Sequence, residues 1–251
     1  MAGHSHWAKI KRAKATTDAK RGREWSKLAR RIIVAAKSGG NPDDNITLRY
    51  AIDDAKTANM PNDTIDKAIK KGTGELGAEN YEQVVYEGYG PGGVAFLVDC
   101  LTDNRNRTAP DMRKIFERSG GQLGSTGCVA YLFQQKGQFV ILEGQTDEDT
   151  LMEIAIEAGA DDVVRGTGLF EITCAPSAFS DVKAALAARH IETIEGEIAM
   201  VPTSKVAVAG ERARQVLRLM ESLEDHDDVQ KVYANFELPE DVMAQVEGES
   251  G

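Results

Sequence analysis

Residues 137–200 read GQFVILEGQTDEDTLMEIAIEAGADDVVRGTGLFEITCAPSAFSDVKAALAARHIETIEGEIAM. A short apolar run, Phe139 to Leu142, is followed by helical spacing from Asp147 to Ala158. Strand-like runs come next, around Val163 and from Phe170 to Thr173. A second helical stretch, Ala178 to Ala188, leads into a strand over Ile191 to Met200. This order is βαββαβ, the ferredoxin-like unit.

Upstream, residues 84–90 and 93–102 read as a hairpin around Gly90-Pro91-Gly92-Gly93. A helix from Thr108 to Arg118 and a strand from Val129 to Phe133 extend it. Downstream, a helix (Glu211 to Leu223) and a strand (Val229 to Phe236) find no place in a βαββαβ unit. They are predicted to return to the layer begun upstream, with the ferredoxin-like unit inserted. Three helices precede all of this. The first runs from Thr17, a candidate N-cap, to Lys37 and stops at Gly39-Gly40 and Pro42. The second covers Asp44 to Ala58, and the third starts near Pro61 and ends at Gly72-Thr73-Gly74. Residues 74–80 read as a linker. The expected fold is α+β in three domains: a basic helical domain with an N-terminal arm (1–75), an α/β sandwich domain (80–135 plus 205–240), and the inserted ferredoxin-like α/β domain (136–204).

The chain has 251 residues and 41% hydrophobic content, enough for substantial cores. It has no run of 18 apolar residues, and its first twenty residues are basic and polar. The expectation is a cytoplasmic protein with no membrane partner. Cys100, Cys128 and Cys174 are odd in number and set among apolar neighbours, as reduced, buried thiols are. No Cys/His metal spacing, Ser/His/Asp set, HExxH or paired-acid arrangement appears. Gly90 to Gly93 and Gly120 to Gly124 fit neither Walker nor Rossmann spacing, and the first joins two strands. The reading is therefore non-enzymatic, with no cofactor, metal or small-molecule substrate. Removal of Met1 would leave Ala2-Gly3-His4, a Cu(II) or Ni(II) chelate of adventitious kind. Glu221, Glu224, Asp225, Asp227 and Asp228 read as a solvated acidic turn, and His190 and His226 carry no signal.

Charge is the informative property. The formal net charge is -10. Residues 1–37 hold 11 Lys and Arg against Asp18 and Glu24, a net of +9, which leaves -19 for the rest. Such a chain would meet phosphates with one end and repel them with the other. The candidate nucleic-acid contacts are His4, His6, Trp7, Lys9, Lys11, Arg12 and Lys14 in the arm, and Lys20, Arg21, Arg23, Lys27, Arg30 and Arg31 on the first helix. Trp25, Leu28, Ala29, Ile32, Ile33 and Ala36 form that helix's apolar stripe, opposite the cations. Trp25 is thereby assigned to core, whereas Trp7 is a candidate for stacking on an unpaired base. The competing reading is a solvated basic face. Asn104, Arg105 and Arg107 lie at a strand-to-helix junction, where helix capping by Asp103 or Asn104 and a second contact surface for RNA or a partner are both open.

Several stretches resemble the YebC family: Gly3-His4-Ser5, Trp7, Ile10-Lys11, Lys14, Asp18, Lys27, Gly39-Gly40, Asn45, Leu48-Arg49 and Met60-Pro61; Tyr86 to Gly93; Leu101 to Thr108; and Val129 to Phe133. The resemblance spans essentially the whole chain. It implies a cytoplasmic protein of three domains, one helical and two α/β, that acts as a DNA-binding transcriptional regulator. Some relatives are linked instead to translation at the ribosome, including a mitochondrial activator of cytochrome oxidase synthesis, so DNA and ribosomal RNA both stand as partners. His6 departs from the family pattern, which has lysine there, and gives the arm's contact a pH dependence. The oligomeric state is not legible.

Overall fold

A computed structural model describes Trp7, residues 18–77 and residues 80–239. Thr17 and the Ala2-Gly3-His4 terminus lie outside the described residues. Among the described residues, the first domain holds α1 (Asp18–Ala36), α2 (Ile46–Thr57) and α3 (Asn62–Gly72). Leu28, Ile32, Ile33 and Ala36 of α1 are buried against Leu48, Ile52 and Ile65, as the helical spacing requires. Trp25 is half-buried beside them and its indole N–H donates to Ala58 O at 3.0 Å. Asn45 closes one helix and opens the next. Its side-chain oxygen accepts from Leu48 N at 3.1 Å, and its Nδ2 donates to Ala35 O and Gly39 O, both at 2.8 Å. α3 crosses α1 at Gly72, where an added Cβ would lie 2.5 Å from Ile33 O and 2.6 Å from Ala36 Cβ. Only a glycine permits that approach.

The second domain opens with β1 (Glu82–Tyr89), β2 (Ala95–Thr102), α4 (Arg105–Arg118) and β3 (Gln122–Leu123). The chain then forms β4 (Phe133–Leu142), α5 (Glu148–Glu157), β5 (Ala160–Gly166), β6 (Leu169–Cys174), α6 (Phe179–Ala188) and β7 (Thr193–Pro202). It returns through β8 (Val206–Ala207), α7 (Gly210–Glu224), β9 (Val229–Ala234) and β10 (Phe236–Glu237). The sheet β5-β6-β4-β7 is antiparallel throughout, with α5 and α6 closing a core of Phe139, Ile141, Phe170 and Ile172. This is the ferredoxin-like unit. The other large sheet runs β3-β1-β2-β9, so β9 pairs with β2 across the insertion. The expected return of the last helix and strand is what the pairing shows.

One face of the β3-β1-β2-β9 sheet carries α4 and α7 over Phe96, Val98, Met112, Phe116, Val216 and Met220. Leu97 and Tyr233 on the other face meet Val129, Phe133 and Ala199, and Lys231 Nζ reaches Glu197 at 2.5 Å, which ties the second domain to the third. The strand expected over Val129 to Phe133 is instead a 3-10 turn, Ala130–Leu132, followed directly by β4. The buried Glu87 explains it. Its carboxylate accepts from the amides of Gly127 (2.6 Å), Val129 (2.7 Å) and Ala130 (2.8 Å), which removes them from any strand ladder. Burial alone would raise this carboxyl's pKa, but the three amides hold it below the usual glutamate value. Cys100 and Cys174 are buried and Cys128 is half-buried; all three are free thiols. Burial pushes the Cys100 thiol well above its ordinary range. Among the described residues, no helix is long and apolar enough to cross a membrane.

Candidate nucleic-acid interface

α1 has the cationic face that its sequence predicts, but that face is occupied. Arg23 pairs with Asp225 at 3.3 Å, and Lys27 Nζ donates to Glu224 O at 2.5 Å. Arg30 lies 3.3 Å from Asp228, donates to Asp227 O, and stacks its guanidinium 5.6 Å from the Tyr81 ring centre. Arg31 pairs with Asp54 of α2 at 2.9 Å, and Lys37 donates to Tyr81 O. Lys27 and Arg30 thus sit at the carboxyl end of α7, where the last carbonyls and the helix dipole favour positive charge. Every cation from Arg23 to Lys37 on this face has an intramolecular partner.

The acidic turn after α7 is therefore not simply solvated. Asp225 and Asp227 are exposed, but the Asp228 side chain is only 2% exposed. Its carboxylate accepts from Thr108 Oγ1 (2.7 Å), Thr102 Oγ1 (3.2 Å) and Arg107 Nη2 (3.0 Å), with Arg30 beside it. Burial alone would raise its pKa, yet the hydrogen bonds from Thr108 and Arg107 and the charges of Arg107 and Arg30 pull it below the usual aspartate value. A buried carboxylate with four such neighbours is a structural knot between the four elements that meet there, α1, β2, α4 and the 225–228 turn. His226 belongs to it as well. Its Nδ1 accepts from Asp228 N at 3.1 Å, and its Nε2 faces Asp111 at 3.5 Å. The cleft over the knot, about 600 Å³, is lined by Arg23, Arg30, Arg107, Asp225, His226, Asp227 and Asp228. Arginines and aspartates balance in it, so it offers no excess charge to an anion.

Asn104 is the cap of α4, its side chain accepting from Arg107 N at 3.2 Å. Arg107 pairs with Asp103 at 2.8 Å and with Asp228, which raises its pKa further. Arg105 is exposed and 3.6 Å from Glu82. The cap reading accounts for Asn104, and the ion pairs account for Arg107, although all three side chains are exposed.

Trp7 requires a correction. It is 5% exposed and packs into the second domain's core with Val94, Phe96 and Val208, so it is not available to stack on a base. An indole flanked by basic residues reads as a stacking platform only if nothing apolar is waiting for it, and the distant second domain supplies that pocket. His4, His6, Lys9, Lys11, Arg12 and Lys14 lie outside the described residues, as does the Lys20 side chain; Arg21 is exposed at the start of α1. Among the described residues, no group of three or more His, Cys, Asp or Glu is placed to hold a metal ion.

A basic three-helix domain is thus locked by ion pairs onto a sheet domain that carries a ferredoxin-like insertion. The chain belongs to the TACO1/YebC family: residues 5–75 match the TACO1/YebC protein N-terminal domain, and residues 81–236 match the TACO1/YebC second and third domain. It is 51% identical over 241 residues to a probable transcriptional regulatory protein of Pelotomaculum thermopropionicum, covering 95% of this chain and 99% of that one. A protein of the same description from Dictyoglomus turgidum is 50% identical over 245 residues, covering 97% and 98%. The crystal structure of a conserved hypothetical protein from Aquifex aeolicus superposes with a TM-score of 0.80 at 47% identity, covering 90% of this chain and 94% of that one.

Proposed function

We propose that the chain is a non-enzymatic regulator of gene expression that binds duplex DNA through its amino-terminal domain. The observation that carries this reading is the charge distribution, +9 within residues 1–37 of a chain whose total is -10. The relatives' description as probable transcriptional regulatory proteins agrees with it. The cations proposed to meet phosphates first are Lys9, Lys11, Arg12 and Lys14, since Arg23, Lys27, Arg30 and Arg31 would have to leave carboxylates and carbonyls to do so. In sequence, these four fall between Trp7, in the second domain's core, and Asp18, where α1 begins.

Association with ribosomal RNA is the second reading. It is favoured by α1 itself, which holds no Asn or Gln to read base edges and so suits backbone contact. Mobility shifts on promoter and random duplexes, run beside cosedimentation with ribosomes, separate the two. The DNA reading expects tighter binding to promoter fragments than to random duplex and no enrichment in the ribosomal pellet. Equal weak binding to all duplexes with strong cosedimentation would replace it with the ribosomal one.

A further inference from the structure

The second domain carries a cationic surface of its own. α4 and α7 lie side by side on one face of the β3-β1-β2-β9 sheet, and they run antiparallel. Arg107, at the start of α4, meets Asp228, just past the end of α7. Their other ends meet at the turn after β1, where a Cβ on Gly92 would lie 3.8 Å from Arg212 Cδ and one on Gly120 would lie 3.9 Å from Pro91 Cγ. With Met112, Phe116, Val216 and Met220 facing the sheet, helical periodicity turns Arg113, Lys114 and Arg118 of α4 and Arg214 and Arg218 of α7 outward. Arg212 stands beside them in the first turn of α7, and all six are exposed.

Arg214 reaches Glu211 at 3.8 Å. Arg113, Lys114, Arg118, Arg212 and Arg218 have no ion pair or hydrogen bond among the described residues, in contrast to the cations of α1. Asp111, Glu117, Glu211 and Glu221 stand among these six cations, so the face keeps a net of +2 although residues 38–251 sum to -19. Lys114 and Arg118, like Arg214 and Arg218, are four residues apart and share a face. α7 starts without a side-chain cap, so the positive end of the helix adds to the field at this end. Neither helix carries an exposed large apolar side chain, which a protein-docking patch would need.

We infer that the outer face of α4 and α7 is a second phosphate-contacting surface, so that one duplex is held by the amino-terminal domain and by the second domain together. This rests on the nucleic-acid reading above. The test is binding of the full-length protein to a random-sequence DNA duplex over a series of salt concentrations, by fluorescence anisotropy. In the variant Arg113→Gln/Arg118→Gln/Arg212→Gln/Arg218→Gln the slope of log affinity against log salt becomes shallower by about 2 to 4, at about 0.9 for each phosphate that is no longer neutralised. Lys183→Glu/Arg189→Glu, which lowers net charge equally on the third domain, leaves the slope unchanged. The inference is overturned if the quadruple variant keeps the wild-type slope or if the third-domain control changes it as much. In the first case, a slope still sensitive to Lys9→Gln/Lys11→Gln/Arg12→Gln/Lys14→Gln leaves the amino-terminal reading standing. An intact protein that does not bind duplex DNA overturns both.

Discussion

α1 and the α4/α7 pair both present cations at helical spacing, yet the two surfaces differ in what those cations face. On α1, Arg23, Lys27 and Arg30 meet the carboxylates and carbonyls of residues 224–228. On α4 and α7 the corresponding side chains face solvent. Charge counted along a chain is thus not charge available to a ligand. Arg23, Lys27 and Arg30, three of the eleven cations behind the +9, lose much of their field where they dock on an acidic turn, while a few arginines within a strongly acidic stretch keep theirs.

The largest expected effect that separates the two surfaces is on stability. Asp228→Ala removes the buried acceptor shared by Thr102, Thr108, Arg30 and Arg107, of which Arg107 is 48% exposed and keeps its pair with Asp103, and losing such a charged acceptor costs about 1 to 3 kcal/mol. Glutamine at Arg118 or Arg218 should move stability by no more than about 0.5 kcal/mol. Urea unfolding followed by circular dichroism checks both, and equal effects on the two surfaces would erase the distinction. Next comes the acid limb. The Asp228 carboxyl is held below its ordinary value in the fold, so its contribution is present above an unfolded value of about 3.9 and is lost as pH falls from there through the folded value. The stability gap between the wild type and Asp228→Asn should therefore be full at pH 6 and close progressively below about pH 4. A gap that stays constant with pH would mean that the charge of Asp228 is not what matters. A smaller effect than that of Asp228 is expected at the exposed end of the same contact. Arg23→Gln breaks a pair whose side chains are 39% and 51% exposed, and should cost under about 1 kcal/mol, less still at high salt.

Much of the fold was legible because periodicity is local. The βαββαβ order, the hairpin at Gly90 to Gly93 and the three amino-terminal helices each follow from spacing and punctuation within about twenty residues. The return of α7 and β9 to the first sheet was legible by exclusion, since the ferredoxin-like unit was already complete. The misreadings all concern contacts across the chain. Trp7 looked like an exposed arm residue because the core it joins, with Phe96 and Val216 among its members, is built by residues far along the chain. Asp228 looked solvated because Arg30, Thr102 and Arg107 are far away in sequence, and Glu87 gave no hint that it would take three amides from residues 127–130. His226 drew no attention for the same reason. The basic face of α4 and α7 was hidden by summation, its arginines outvoted by the acids of the same long stretch.

The position of Trp7 also dictates how the amino-terminal reading has to be examined, because deleting residues 1–37 would open the second domain's core along with removing the charge. Substitutions that spare the indole avoid this. The most direct measurement is the salt dependence of duplex DNA binding by Lys9→Gln/Lys11→Gln/Arg12→Gln/Lys14→Gln against the intact protein, both in the same buffer. The account predicts a slope shallower by about 3 to 4, with weaker binding at every salt concentration. Identical slopes and affinities would contradict it.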